Sequence, residues 1–291
     1  MSRIAESELI LNNDGSIYHL NLLPEDIAPT IITVGDPDRV AEVSRYFDSI
    51  EIKKGKREFV THTGHLNGKR ISVISTGIGT DNIDIVFNEL DALVNIDFEN
   101  RRAKPSLQSL DIIRIGTSGS IQKHIPVDDF LISEYAVGFD GLLHFYDSIS
   151  VQHQDIQTAL VKHTSWAAEK SVPYVVKYSK ALAGKLISED IHLGFTATNP
   201  GFYGPQSRKL RLDMQDESLN DKLASFDFNG LKLTNLEMET AGIYGLAALL
   251  GHKAVSMNCI LANRATGTFS KHPQKSTQQL IEYTLEKLTK D

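Results

Sequence analysis

TIITVGDPDRV, residues 30–40, decides the fold. TIITV (30–34) is a short run rich in Ile and Val and reads as a strand. GDPDR (35–39) follows as a turn into a helix running to about Asp48, with Asp36 as N-cap and Pro37 at the first helical position. The same alternation recurs outward. Residues 57–66 and 69–75 form an extended pair around Asn67-Gly68, which suits a tight hairpin turn. After STGIG (75–79), Ile83, Val86, Phe87, Leu90, Leu93 and Val94 recur every three or four residues and mark one face of a helix. That helix ends in the polar stretch ENRRAKPS (99–106), and DIIRI (111–115) is a buried strand opening into a glycine-rich turn, GTSGS (116–120). FLISEYAV (130–137), IHLGFTAT (191–198) and AVSMNCIL (254–261) read as further strands, and 239–250 and 274–290 as helices. Leu280, Thr284, Leu285 and Leu288 share one face of the last.

Strand and helix by turns predict an α/β fold: a single-domain α/β/α sandwich with a central mixed sheet flanked by helices. With no linker, repeat or low-complexity segment, residues 1–291 read as one domain, and 1–16 as a loosely ordered N-terminal extension. The polar stretch 201–235, with scattered Gly and Pro, reads as a loop that could cover a site.

The chain has 291 residues, with 37 acidic and 30 basic side chains for a formal charge of −7. No basic tail or stripe is present, so neither nucleic acid nor a membrane surface is an expected partner. Small anions remain compatible through local sites. The one cysteine, Cys259, excludes an internal disulfide, and the N-terminus lacks the apolar core of a secretory signal. The expectation is a cytoplasmic protein.

Three segments could carry chemistry. The turns GDPDR and GTSGS would expose backbone N–H groups to an oxyanion, with Thr117, Ser118, Arg39 and Arg114 adding donors and charge. They are equally compatible with glycines that only turn the chain, although an arginine inside DIIRI must be paired if buried. In TNLEMETAG, Glu237 and Glu239 would point one way from an extended segment and Met238 the other. Such a pair can accept from sugar hydroxyls or move protons; it can also simply complement a helix start. In GFYGPQSR (201–208), Phe202 could stack on a flat ring while Gln206 and Arg208 face a base edge, or the stretch is a surface loop. KKGKREF (53–59), with Arg57, reads as a solvated strand edge. HTGH (62–65) places two histidines three apart with no third ligand nearby, so metal catalysis gains no support. GTSGS lacks the last glycine of a serine-hydrolase elbow.

Together, YHL (18–20), GDPDRV, KREF, STGIG, IRIGTSG, FYGPQSR, EMETAG and ANR stand in the order found in the nucleoside phosphorylase family, and most closely resemble its uridine phosphorylase branch. The resemblance covers nearly the whole chain. It implies that Gly35, Arg39, Arg114 and Thr117 bind phosphate, with Arg57 reaching in from a neighbouring subunit. Met238 and Glu239 would hold the ribose, and His19, also from the neighbour, would meet its 5′ end. Phe202 would pack near sugar and base, and Gln206 and Arg208 would read the pyrimidine, with Glu237 orienting that pair. Purine relatives are expected to use a late-loop carboxylate; the corresponding stretch here has Asn263 and Arg264, and no acidic residue follows Val255 before Glu282. Two departures stand out. Gly204-Pro205 precedes Gln206 where the family usually has glycine directly before the glutamine, and proline restricts its neighbour. Asn82 replaces a serine that relatives use with the KREF glutamate, here Glu58, in a potassium site.

The resemblance implies a pentosyltransferase that converts uridine, and by extension deoxyuridine or thymidine, with inorganic phosphate as co-substrate. No organic cofactor or catalytic metal is expected. Arg114, Arg208, Gln206 and Glu239 would carry the chemistry, in a homo-oligomer with shared sites, a dimer or a trimer of dimers. The alternatives are purine phosphorolysis or nucleoside hydrolysis by the same family, and a nucleoside-binding protein without turnover.

Overall fold

The strand and helix expected from residues 30–40 are both present in the computed structural model, which describes residues 3–290. β1 (Thr30–Val34) sends Ile31 into one core cluster and Ile32 and Val34 into another, because successive side chains leave opposite faces of a strand. α1 (Pro37–Ser44) begins at Asp36, whose side chain accepts the Asp38 N–H at 3.0 Å, with proline in the first turn where no donor is needed. It stops at Ser44 instead of running to Asp48, since the Asp48 N–H bonds the His65 carbonyl and draws the chain into the sheet.

β2 (Ser49–Lys56), β3 (Phe59–Leu66) and β4 (Lys69–Ser75) form an antiparallel meander. Asn67 and Gly68 both take positive φ, 50° and 75°, as a two-residue hairpin turn requires. α2 (Thr80–Asn95) buries all six residues of its predicted apolar face. The polar stretch after it is not featureless: Arg102–Ala103 pairs with Ile96–Asp97 in a small hairpin.

The remaining main elements are β5 (Asp111–Ser120), β6 (Phe130–Gly138), α3 (Gln154–Thr164), β7 (Tyr174–Lys177), β8 (His192–Thr198), β9 (Leu231–Glu237), α4 (Thr240–Leu250), β10 (Lys253–Asn263) and α5 (Pro273–Thr289). The mixed sheet runs β9-β8-β6-β10-β5-β1-β4-β3-β2, with β7 paired to β6. β9 also pairs back onto the end of β5, Asn235 opposite Ser120 and Leu236 opposite Gly119, so β5, β10, β6, β8 and β9 close into a ring. α2 and α4 pack over one face, α1 and α5 over the other, as an α/β/α arrangement demands. Cover on both sides explains why the central strands are continuous apolar runs.

Three expectations are corrected. GTSGS is no turn: β5 continues to Ser120, with Gly116 opposite Asn258 and Thr117 opposite Cys259 on β10. Residues 3–16 are no loose extension, because Leu9 is buried and the Arg101 guanidinium donates to the carbonyls of Ile4, Ala5 and Leu9; Met1 and Ser2 lie outside the described residues. Within 201–235, Leu219–Ser225 is helical and β9 begins at Leu231, so the irregular part is shorter than expected.

Candidate active site

The ends of β1, β4, β5 and β9 open onto one cleft of about 730 Å³, where crevices of α/β sheets commonly hold ligands. Of the residues singled out in the sequence, Gly35, Arg39, Glu58, Arg114, Thr117, Phe202, Gln206, Arg208, Glu237, Met238 and Glu239 line it. His19 and Arg57 do not. A second cleft of about 830 Å³ lies behind the 203–208 turn, lined by the Phe139 and Trp166 rings and by Leu210 and Leu212. Arg208 borders both clefts and both carry charged side chains, but the buried, mutually paired Arg114, Glu237 and Glu239 stand in the smaller one.

At one end two arginines face the cleft in different states. Arg114, in the middle of β5, is buried and paired: Nη2 lies 2.5 Å from Glu239 Oε2 and 3.5 Å from Glu237 Oε2, and Nη1 donates to Asn258 Oδ1 at 3.1 Å. Its side chain folds back over Gly116, where a Cβ would stand 1.7 Å from Nη1. Glycine in this strand therefore makes room for a guanidinium. Burial works against the Arg114 charge, but the two carboxylates more than offset it and hold its pKa above the ordinary value. The Arg39 side chain, in α1, makes no hydrogen bond or ion pair among the described residues. Burial, and then repulsion by Arg114, hold its pKa below normal. An unpaired, partly desolvated cation beside a second cation is a place for an anion. Gly35 and Thr117 flank it.

In the middle stand Glu237, Met238 and Glu239, all bordering the cleft, so Met238 does not turn away as an unbroken strand would require. The strand ends at Glu237 and α4 begins just after Glu239. Glu239 accepts the Gly79 N–H at 2.9 Å through Oε1 and Arg114 through Oε2. Burial raises its pKa; Arg114 opposes this and Glu237 adds to it. Each oxygen keeps a lone pair for a hydroxyl donor. Glu237 is different. Thr198 Oγ1 donates to its Oε1 at 2.6 Å, while Oε2 accepts the N–H groups of Glu239 and Thr240 and the Thr240 hydroxyl. It caps α4 and braces Arg114, and it makes no direct hydrogen bond to Gln206 or Arg208.

At the far end, Gly204–Gln206 forms one helical turn with Pro205 in its first positions, followed by Ser207 at φ 53°. Proline needs no donor there, so the turn accommodates it. Arg208 lies over the Phe202 ring, 3.8 Å from its centroid, and Nη1 donates to the Phe202 carbonyl and to Gln206 Oε1. Gln206 Nε2 and Arg208 Nη2 have no partner among the described residues and remain as donors. Burial first, then the charge of Arg264, pulls the Arg208 pKa down to about 10, so it stays cationic at neutral pH.

The sequence reading assigned no role to Arg264 or Asn258. Arg264 donates to the carbonyls of Gln206 and Ser207, both at 3.1 Å, and clamps the turn. Its only signal was the ANR motif; for Asn258 it was a polar residue inside an apolar strand. Arg57 sits at the exposed tip between β2 and β3 with φ 57°. His19 is held by Glu89 of α2, Nδ1 at 2.6 Å from Oε1. Glu58 borders the cleft, while Asn82 Nδ2 faces the Ile78 carbonyl at 3.5 Å. His62 and His65 bind separate partners, Ser44 and Glu51, and among the described residues no three His, Cys, Asp or Glu side chains gather as metal ligands. No helix among them is long and apolar enough to cross a membrane.

The chain is similar to known proteins over most of its length. The uridine phosphorylase of Thermococcus kodakarensis is 30% identical over 94% of this chain and 87% of its own length. That of Escherichia coli strain K12 is 30% identical over 85% and 86%. A solved Trypanosoma brucei nucleoside phosphorylase, described as showing uridine phosphorylase activity, superposes with a TM-score of 0.87 at 28% identity, over 97% of this chain and 99% of that one. Residues 29–290 match the sequence model of the phosphorylase superfamily, and with the fold in agreement, the chain belongs to that superfamily.

Proposed function

We propose that this chain is a uridine phosphorylase, a pentosyltransferase that reversibly converts uridine and phosphate to uracil and ribose 1-phosphate. One observation carries the reading: unpaired Arg39, doubly braced Glu239 and the free donors of Gln206 and Arg208 succeed one another along a single cleft. Phosphate at Arg39, Gly35 and Thr117 would lie behind C1′, with Arg114 at its edge. Because Glu237 and Glu239 more than neutralise Arg114, Arg39 brings the four groups only to formal neutrality, and an outside cation such as Arg57 of a neighbouring subunit would supply the net positive charge a phosphate needs. Glu239 and Met238 would hold the ribose.

Cleavage of the bond between C1′ and N1 leaves a cationic sugar and puts negative charge on the departing uracil. Arg208, desolvated and repelled by Arg264, gains most when an anion forms beside it, so its interaction strengthens in the transition state. Such a preorganised donor is worth about 10²-fold or more in rate. Gln206, its Oε1 oriented by Arg208, turns Nε2 toward a carbonyl and keeps a lone pair for N3–H. This needs no organic cofactor and no general acid. A homo-oligomer accords with the exposed Arg57 tip and with His19 lying outside its own chain's cleft; one catalytic domain per chain, a cytoplasmic location and Glu58 as a potassium ligand complete the proposal.

The test is uracil release from uridine, followed by ultraviolet absorbance with and without phosphate, with thymidine and inosine alongside. Phosphate-dependent release from uridine is expected. Turnover of inosine but not uridine, or release that ignores phosphate, would overturn the reading.

A further inference from the structure

A carboxylate cluster that the cleft does not use lies beside α2. The Glu89 carboxylate, on α2, takes three donors from the Tyr-His-Leu segment. His19 N–H stands 3.0 Å from both of its oxygens, the Leu20 N–H donates to Oε2 at 2.8 Å, and His19 Nδ1 is 2.6 Å from Oε1. The Glu89 side chain is 13% exposed and that of His19 26%, so the carboxylate is buried beneath the ring while the ring reaches solvent. Edge contacts with Tyr18 and Phe59 fix the ring plane. His19 Nε2 has no partner among the described residues.

A carboxylate can only accept. In the neutral imidazole its contact with Nδ1 therefore requires the proton on Nδ1, which leaves Nε2 as an acceptor. We infer that Glu89 is a positioning residue that fixes His19 as the Nδ1–H tautomer, so that Nε2 accepts from a hydroxyl donor, the 5′-hydroxyl of a nucleoside in a neighbouring subunit's cleft. The second half rests on the reading of the chain as a uridine phosphorylase with His19 at the sugar; the first half rests on geometry alone.

Glu89→Gln separates tautomer from scaffold. The backbone N–H groups of His19 and Leu20 still need an acceptor, so the glutamine oxygen stays at the Oε2 position. Its NH₂ group then faces Nδ1, which must become the acceptor, and the ring proton moves to Nε2. The variant keeps the fold contacts and reverses the face that His19 presents.

The experiment uses the full chain at about pH 8.5, where an ordinary imidazole is neutral. The ¹⁵N resonances of His19, identified by their loss in His19→Asn, are expected to show Nδ1 protonated in the wild type and Nε2 protonated in Glu89→Gln. The kinetic arm compares uridine with 5′-deoxy-5′-fluorouridine, whose fluorine can accept but not donate. The wild type should favour uridine, and Glu89→Gln should shrink that preference by about tenfold, the worth of one hydrogen bond. A merely structural Glu89 would slow both substrates equally. Wild-type preference for uridine with an unchanged ratio and unchanged resonances in the variant overturns the inference. Equal use of both substrates by the wild type removes His19 from the sugar, and with it the second half. If the wild type shows no phosphate-dependent turnover at all, the functional reading fails while the resonances still decide the tautomer. Should Glu89→Gln not fold, a wild-type His19 protonated at Nε2 overturns the inference by itself.

Discussion

The two ends of the cleft are built on different principles. Arg114 stands on a central strand, buried, with its charge answered by two carboxylates and its path cleared by Gly116. Arg208 stands on a turn, half-covered, stacked on an exposed ring and held by the Phe202 carbonyl and Gln206 Oε1, while Arg264 clamps the turn's own carbonyls at Gln206 and Ser207. One end is pre-paired and fixed by the sheet; the other carries spare donors on a loop. The difference teaches that the first end is expensive to disturb for stability as well as activity, whereas the second can lose its chemistry and keep the fold.

Arg114→Ala tests this contrast most severely. It strands Glu237 and Glu239, so activity should fall by about 10³-fold and stability by about 3–5 kcal/mol. Phosphate-dependent turnover and thermal unfolding read the two effects, and an unchanged melting temperature would mean that the carboxylates do not depend on Arg114. Arg208→Ala should cost about 10²-fold in kcat/KM for uridine with the melting temperature unmoved; a parallel loss of stability would erase the distinction between the ends.

Two glycines of β5 sharpen the comparison. Gly116→Ala places a methyl where the Arg114 guanidinium lies and should raise the apparent phosphate KM at least tenfold, on the scale of one displaced charged contact. Gly119→Ala meets nothing closer than 3.8 Å and should change turnover by less than about threefold, near the scale of neutral substitutions. Equal effects from the two would mean that Arg114 does not lie over Gly116 in solution. The smallest effect concerns pH. Since burial raises the Glu239 pKa, protonation sets in at higher pH than for a free glutamate, and nucleoside binding should weaken as pH falls toward, but still above, the ordinary value of about 4.3. Calorimetry without phosphate keeps phosphate ionisation out of the measurement, and a midpoint at or below the ordinary value would contradict the buried pair.

Much of this was legible in the chain. Hydrophobic period marked β1, α2 and α5, and Asp36-Pro37 marked a helix start, because these are local preferences that the fold reinforces. DIIRI announced a buried arginine that had to be paired, and Glu237 and Glu239 are its partners. GTSGS misled for a physical reason: glycine permits a turn but does not compel one, and here its missing side chain houses a guanidinium. The contacts of Glu237 were not legible, since the residues that occupy its oxygens, Thr198 and Thr240, come from another strand and a following helix.

The sequence by itself determined the α/β alternation, the ordered motifs and the residue types gathered in the cleft, since these follow from periodicity and from side-chain chemistry. Tertiary structure alone decided which carboxylate is spent on a helix cap and which keeps lone pairs to offer, which arginine is neutralised and which stands unpaired, and that Arg264 and Glu89 act by holding others in place. Those outcomes depend on contacts between distant segments, 160 residues apart for Gly79 and Glu239 and 144 for Arg114 and Asn258, and a pairing across such a separation is fixed by the register of the sheet, which no local pattern encodes.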